Sequence, residues 1–143
     1  MKEPERTKLS VVRERVVLVA VLLDSRKARR ANGESLDELA RLADTAGAEV
    51  VDTIIQRRQR IHPGLYVGTG KAEEIGLIAK AHDAHAIIFD NDLTPAQIRS
   101  LEEVTQTKII DRSELILDIF ATRARTLEAR LQVELAQLEY TYP

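Results

Sequence analysis

The chain has 143 residues, 44% hydrophobic and 31% charged, with a formal net charge of −2. That length suits one domain with an appendage, and that hydrophobic share suits a packed core rather than a disordered chain. The absence of cysteine excludes disulfides, thiol catalysis and cysteine-ligated zinc or iron–sulfur clusters.

Residues 1–15 read as a charged, flexible lead-in. The start, MKEPERTKLS, has no apolar signal-peptide core. The first element is expected at Val16–Leu23, a β-branched and leucine run that suits a strand buried on both faces. It is too short to cross a membrane. Asp24–Gly33 (DSRKARRANG) reads as a basic connection ending in a turn, after which Ser35-Leu-Asp-Glu38 has the form of a helix-opening capping box. Leu36, Leu39, Ala40, Leu42 and Ala43 would line the inner face of that helix, and Gly47 would stop it. A second strand is expected at Val50–Ile55, followed by a basic loop, Gln56–Leu65, that turns at Pro63-Gly64.

Tyr66-Val67-Gly68 reads as a short extended piece before a helix over Lys71–His82, with Ile75, Ile78 and Ala79 inward. Ala86–Phe89 is a third strand, ending in Asp90-Asn91-Asp92. Thr94, Pro95 and Gln97 have the spacing of an N-cap, a first helical proline and a capping-box partner. In that helix Ile98, Leu101 and Val104 should face inward. Lys108–Ile110 makes a fourth strand, and Asp111 opens an arm. The arm reads as two apolar helical halves joined by a basic connector, Thr122-Arg-Ala-Arg-Thr126. Leu115, Ile116, Ile119 and Phe120 mark the first half, and Leu127, Leu131, Leu135 and Leu138 the second.

This order predicts an α/β fold: a small, mostly parallel four-stranded sheet over residues 16–111, flanked by helices, then a helical linker arm over 112–143. Ligands of such sheets sit beyond the strand C-termini. Here those ends carry Asp24, Gln56–Arg60, Asp90–Asp92 and Asp111.

Charge is patterned. Residues 1–30 hold nine Lys or Arg against four acids, and residues 57–71 hold four against none. Arg26, Lys27, Arg29, Arg30, Arg57, Arg58, Arg60, Arg123, Arg125 and Arg130 could contact phosphates, or could be solvated surface. Aromatic residues are only 3%, so a base-stacking platform is not expected, and folded RNA read through backbone and shape fits better.

Small-molecule chemistry has weaker candidates. Gly68-Thr-Gly-Lys71 departs from a P-loop, because Leu65 stands where the first glycine belongs and Ala72 where the magnesium-binding hydroxyl belongs. Gly68, Gly70 and Lys71 remain a weak phosphate candidate at a helix start. Asp90 and Asp92 are a weak hard-cation candidate, with Asp24 and Asp111 as neighbours, against the alternative of solvated turn residues. Asp44-Thr-Ala-Gly47 matches a nucleotide-switch pattern by letters alone, and of the three histidines, His62, His82 and His85, the last two read as surface rather than ligands. No catalytic constellation is evident, and no cofactor is expected in this chain.

Four stretches carry a family resemblance: SLDELARLADTAGAEVV (35–51), YVGTGKAEEI (66–75), IIFDNDLTPAQIRSLE (87–102) and, most specifically, IIDRSELILDIFATRARTLEARLQVELAQLEY (109–140). Over about residues 14–143 the chain resembles the N-terminal domain and first linker helices of HflX-type GTPases, which are ribosome-associated. The resemblance implies that GTP and Mg2+ belong to a GTPase domain following the linker, so this chain alone is not expected to be an enzyme. It implies a cytoplasmic parent protein that binds the large ribosomal subunit and splits or rescues stalled ribosomes. Within that setting it implies rRNA docking through Arg123, Arg125, Thr126 and Arg130, with Arg57, Arg58 and Arg60 as secondary contacts. An ATP-linked RNA-remodelling activity is attributed to this domain in the family, and Gly68–Lys71 would be its phosphate contact. The family often has Gly-Lys where this chain has Ala129-Arg130, so a more helical tip is expected. The chain stops at Pro143, where the family continues into a second linker helix. The stripe Leu127–Leu138 is therefore expected to face either that helix or a second copy in a homodimer.

Overall fold

A computed structural model of the chain describes residues 13–23 and 26–141, excluding the side chains of 26–34 and 140–141. The elements are β1 (Glu14–Leu23), α1 (Arg26–Thr45), β2 (Ala48–Arg58), α2 (Thr69–Ala81), β3 (Ala86–Phe89), α3 (Pro95–Thr105), β4 (Lys108–Asp111) and α4 (Arg112–Thr141). The four strands form one all-parallel sheet in the order β2-β1-β3-β4. A shift between Val16 and Val17 leaves Val51 as an extra residue on β2.

The apolar run of β1 has inward positions on both sheet faces. Val17, Val19 and Val21 pack with Ile75 and Ala79 of α2 and Leu101 of α3. Val16 and Leu18 point the other way, onto Leu39 and Ala43 of α1 and Leu115 of α4. Parallel strands need helices on both faces for this reason: each strand alternates its side chains, and here both sets are apolar. β1 and β3 are adjacent although they lie far apart in sequence, so the chain reverses its direction of winding between them. The crevice outside the C-terminal ends of these two strands is the topological switch point.

Several local expectations change. Ser35 does not open a helix: α1 already begins at Arg26, so Ser35 and Glu38 lie inside it, and residues 26–33 are helical rather than a loop. Both side chains are taken by Arg112 and Asp90 instead of by orphan amides. β2 runs on through Arg58, which places Arg57 and Arg58 on a strand. Val104 is 40% exposed, and Thr105 takes the inward place. Its hydroxyl donates to the Leu101 carbonyl at 2.8 Å, which lets a polar residue be buried there. The capping box of α3 forms as read: Thr94 accepts from the Gln97 amide, and the Gln97 side chain accepts from the Thr94 amide.

The arm is one uninterrupted helix, not two halves. Thr122–Thr126 contains neither glycine nor proline, and Thr126 Oγ1 donates to the Thr122 carbonyl at 2.9 Å, a bond made within helical geometry. Thirty residues at about 1.5 Å each give roughly 45 Å of helix. Only its start is docked: Leu115 is buried, Ile119 packs on the same cluster, and every residue from 120 to 139 is exposed.

Candidate nucleic-acid interface

Asp111 sets the root of the arm. Its Oδ1 accepts the Glu114 amide at 2.9 Å, the geometry of an N-cap, and its Oδ2 accepts the Leu93 amide at 3.1 Å. Asp111 is thereby occupied as a helix cap that also ties down the loop after β3. Arg112, the next residue, reaches into the switch point. Its Nε and Nη2 donate to Asp90 Oδ1, its Nη2 also donates to the carbonyl and hydroxyl oxygens of Ser35, and its Nη1 donates to Glu38. The other Asp90 oxygen accepts the Ser35 hydroxyl at 2.7 Å.

One guanidinium thus joins α1, the end of β3 and the start of α4. Burial on its own would lower the Arg112 pKa, but hydrogen bonds and charge from Asp90, then Glu38, outweigh it and hold the pKa above its ordinary value. Sequence reasoning passed over Arg112, Ser35 and Glu38 as a group. They are scattered over 77 positions, and nothing local links them.

This arrangement bears on the cation candidate. Asp90 is engaged by Arg112 and Ser35, and Asp92 Oδ1 accepts the Ser113 hydroxyl at 2.6 Å. Among the described residues no three His, Asp or Glu side chains gather as a metal site. Asp24 and the side chains of Arg26, Lys27, Arg29 and Arg30 lie outside the described residues.

The weak phosphate candidate sits at the start of α2. The Gly68 amide donates to Gln56 Oε1 at 2.9 Å, and Lys71 Nζ lies 3.3 Å from Glu74 Oε1. Two of the groups that would cradle a phosphate are therefore engaged within the domain. The preceding loop is tightly built. His62 Nδ1 accepts the amides of Gly64 and Leu65 at 3.1 and 3.0 Å, and Gln97 Nε2 donates to the Pro63 carbonyl. Tyr66 takes a positive φ of 67° and packs edge-on against Phe89. Burial, then the charges of Asp92 and Asp90, push its phenol pKa upward.

The basic residues divide between the two ends of the sheet. Arg57 and Arg58 end β2, with Arg60 in the loop beyond, so they lie at the C-terminal edge. Arg58 Nε donates to the Arg60 carbonyl at 2.9 Å, which folds this corner on itself. Since α4 starts at that same edge and runs back along the sheet, Arg123 and Arg125 reach the opposite, N-terminal edge. There they line a cleft of roughly 470 Å³ with Glu14, Lys108 and Asp118. Arg130 lies farther out on the exposed helix. Arg123, Arg125 and Arg130 make no ion pair among the described residues, and Arg125 only meets Thr122 Oγ1 at 3.3 Å. The two groups of cations therefore do not form one continuous patch.

Residues 33–121 match the GTP-binding GTPase N-terminal family. The chain belongs to that family. It is 51% identical over 136 residues to the GTPase HflX of Lacrimispora saccharolytica, covering 95% of this chain and 31% of that protein. With the GTPase HflX of Escherichia coli it shares 46% identity over 127 residues, 89% of this chain and 29% of that one. The chain thus spans about 30% of the length of these curated relatives. Among solved structures, SsGBP mutation variant G235P superposes with a TM-score of 0.57 at 22% identity, over 89% of this chain and 39% of that one, a likeness of fold. No helix among the described residues is long and apolar enough to cross a membrane.

Proposed function

We propose that this chain is the docking module of an HflX-type GTPase and that the exposed face of α4 contacts RNA of the large ribosomal subunit. The observation that carries the reading is a helix of 30 residues, rooted in the domain by Asp111 and Arg112, that holds Arg123, Arg125 and Arg130 in solvent without carboxylate partners among the described residues. A guanidinium left unpaired on a rigid support loses little on meeting a phosphate and gains a charge-assisted, bidentate contact. Thr126 shares the same turns, although its hydroxyl is spent on the helix. Arg57, Arg58 and Arg60 would touch a second site from the far edge of the sheet. GTP and Mg2+ would be bound and used by a GTPase domain outside this chain, in a cytoplasmic protein that releases stalled ribosomes. The module itself supplies position rather than chemistry.

The test is co-sedimentation with large ribosomal subunits. Three phosphate contacts would cost about fortyfold in affinity between roughly 50 and 200 mM salt. Replacing Arg123→Glu together with Arg125→Glu should abolish binding. Equal sedimentation of this variant and the parent chain would remove the arm from the interface. A second reading, ATP held at Gly68–Lys71, predicts heat on titration with ATP and Mg2+ that Lys71→Ala removes. With the Gly68 amide and Lys71 already engaged, no heat is expected.

A further inference from the structure

The cleft at the N-terminal edge of the sheet has a charge pattern that contact with an RNA backbone does not use. It opens where α1 has ended at Thr45 and α4 runs on. Its floor is apolar, with Val16, Ile88 and Ile110 from the sheet and Leu115 and Ile119 from α4. Glu14, Lys108, Asp118, Arg123 and Arg125 line it as well, and among the described residues none of these five forms an ion pair with another. Opposite charges that share a cleft without meeting leave both signs open to one ligand, anionic at one end and rich in donors at the other. A volume of roughly 470 Å³ is that of a small-molecule site.

The charges are also ordered. Asp118, Thr122 and Arg125 stand at i, i+4 and i+7, one stripe of α4, and the Arg125 guanidinium meets the Thr122 hydroxyl at 3.3 Å. Acid thus lies toward the root of the arm and cation away from it. Glu14 pairs in the sheet with Ala48, just past the C-terminal end of α1, where the helix carries partial negative charge. That wall attracts hydrogen-bond donors, and the far wall attracts phosphate.

Resting on the reading that α4 meets RNA, we propose that this cleft receives one unpaired guanosine of that RNA, turned out of its stack. The Glu14 carboxylate accepts guanine N1–H and N2–H, Asp118 accepts the ribose 2′-hydroxyl, and Arg125 with Lys108 binds the phosphates, beside Arg123 on the adjoining backbone. Guanine is selected because its Watson–Crick edge alone offers two adjacent N–H donors to a carboxylate, which can only accept. Adenine and cytosine set a ring-nitrogen lone pair beside one amino group, and uracil sets two carbonyls around one N–H. Each of these turns a lone pair toward Glu14. Among the described residues no aromatic side chain lines the cleft, so the base is held by its edge and by aliphatic contact rather than by stacking. The guanosine comes from a loop or bulge, because a paired base cannot present that edge.

The test is fluorescence anisotropy of this chain with RNA hairpins that differ only in one bulged nucleotide. The guanosine bulge should bind about tenfold tighter than adenosine, cytidine or uridine, as one charged hydrogen bond supplies. Glu14→Gln should bring the four within about twofold. Ala121→Trp, at an exposed position that lines the cleft, should fill it and remove the same preference while melting by circular dichroism is unchanged. A 2′-deoxyguanosine bulge should bind more weakly than guanosine, and Asp118→Ala should erase that difference. Four equal affinities in the parent chain, or no binding to any hairpin, overturn the proposal, whereas co-sedimentation with large subunits decides separately whether the arm meets RNA. A guanosine preference that survives both Glu14→Gln and Ala121→Trp places the base elsewhere and overturns the cleft. Free GTP binding tighter than the guanosine hairpin overturns RNA as the source.

Discussion

Replacing Arg112 by methionine tests whether one side chain holds the arm to the domain. Methionine keeps most of the volume and removes every hydrogen bond made by the guanidinium. The Asp90 side chain is only 3% exposed, and it would keep the Ser35 hydroxyl as its partner. Removing one member of a buried pair costs about 3–5 kcal/mol, because the remaining charge is left uncompensated. Arg112 is itself 18% exposed, and water can reach part of the site, so the lower end of that range, about 3 kcal/mol, is expected. For a domain near one hundred residues this corresponds to a fall in Tm of roughly 10–20 °C.

Asp90→Asn alone should also destabilise. The double variant should cost at least about 1.5 kcal/mol less than the two single changes added, because removing both charges leaves neither stranded. The measurement is urea unfolding followed by circular dichroism at 222 nm for all four proteins. Additive losses, or an Arg112→Met change below about 0.5 kcal/mol, would refute the role assigned to this contact.

Two other changes probe packing and charge. A Cβ on Gly76 would stand 3.0 Å from the Thr105 backbone, so Gly76→Ala must push α2 from α3. Overpacking should outweigh the better helix propensity of alanine and cost about 1–2 kcal/mol, seen as a lower Tm. At the arm's root, burial, then the charge of Asp118, raise the Glu114 pKa, with Asp111 and Glu102 adding to the effect against Lys108. The folded state therefore holds the Glu114 proton more tightly than the unfolded state. Its ionisation subtracts from stability as pH rises above the ordinary glutamate range, and does not below it. Glu114→Gln should raise the urea midpoint at pH 7 and lose that advantage on acidification below the ordinary carboxylate pKa; an equal gain at both ends would contradict this assignment.

Much of the fold follows from local rules that the sequence carries openly. The β-branched run of β1, the apolar Ala86–Phe89 segment and the Thr94-Pro95-Gln97 cap specify their elements through contacts within a few residues; the last two form as read, and β1 forms but starts at Glu14, inside the stretch read as a flexible lead-in. The apolar face of α4 is equally legible, as are the cations that flank it. Short-range signals failed where a distant partner outbid them. Ser35 and Glu38 have the spacing of a capping box, but Arg112 and Asp90 claim both, and the helix extends past them. Thr122–Thr126 looks like a connector because it is polar, yet polarity does not break a helix in solvent.

The sequence by itself therefore determined the α/β class, the family and the chemistry available on the arm. Those depend on composition, periodicity and residue order. Only the tertiary structure decided that Arg57, Arg58 and Arg60 sit at the opposite edge of the sheet from Arg123 and Arg125. It also decided that Asp90 serves as a counter-ion and that the leucine stripe of α4 stands in solvent. Those facts depend on strand order and on the direction in which α4 leaves β4, and both are fixed by packing between residues far apart in the chain.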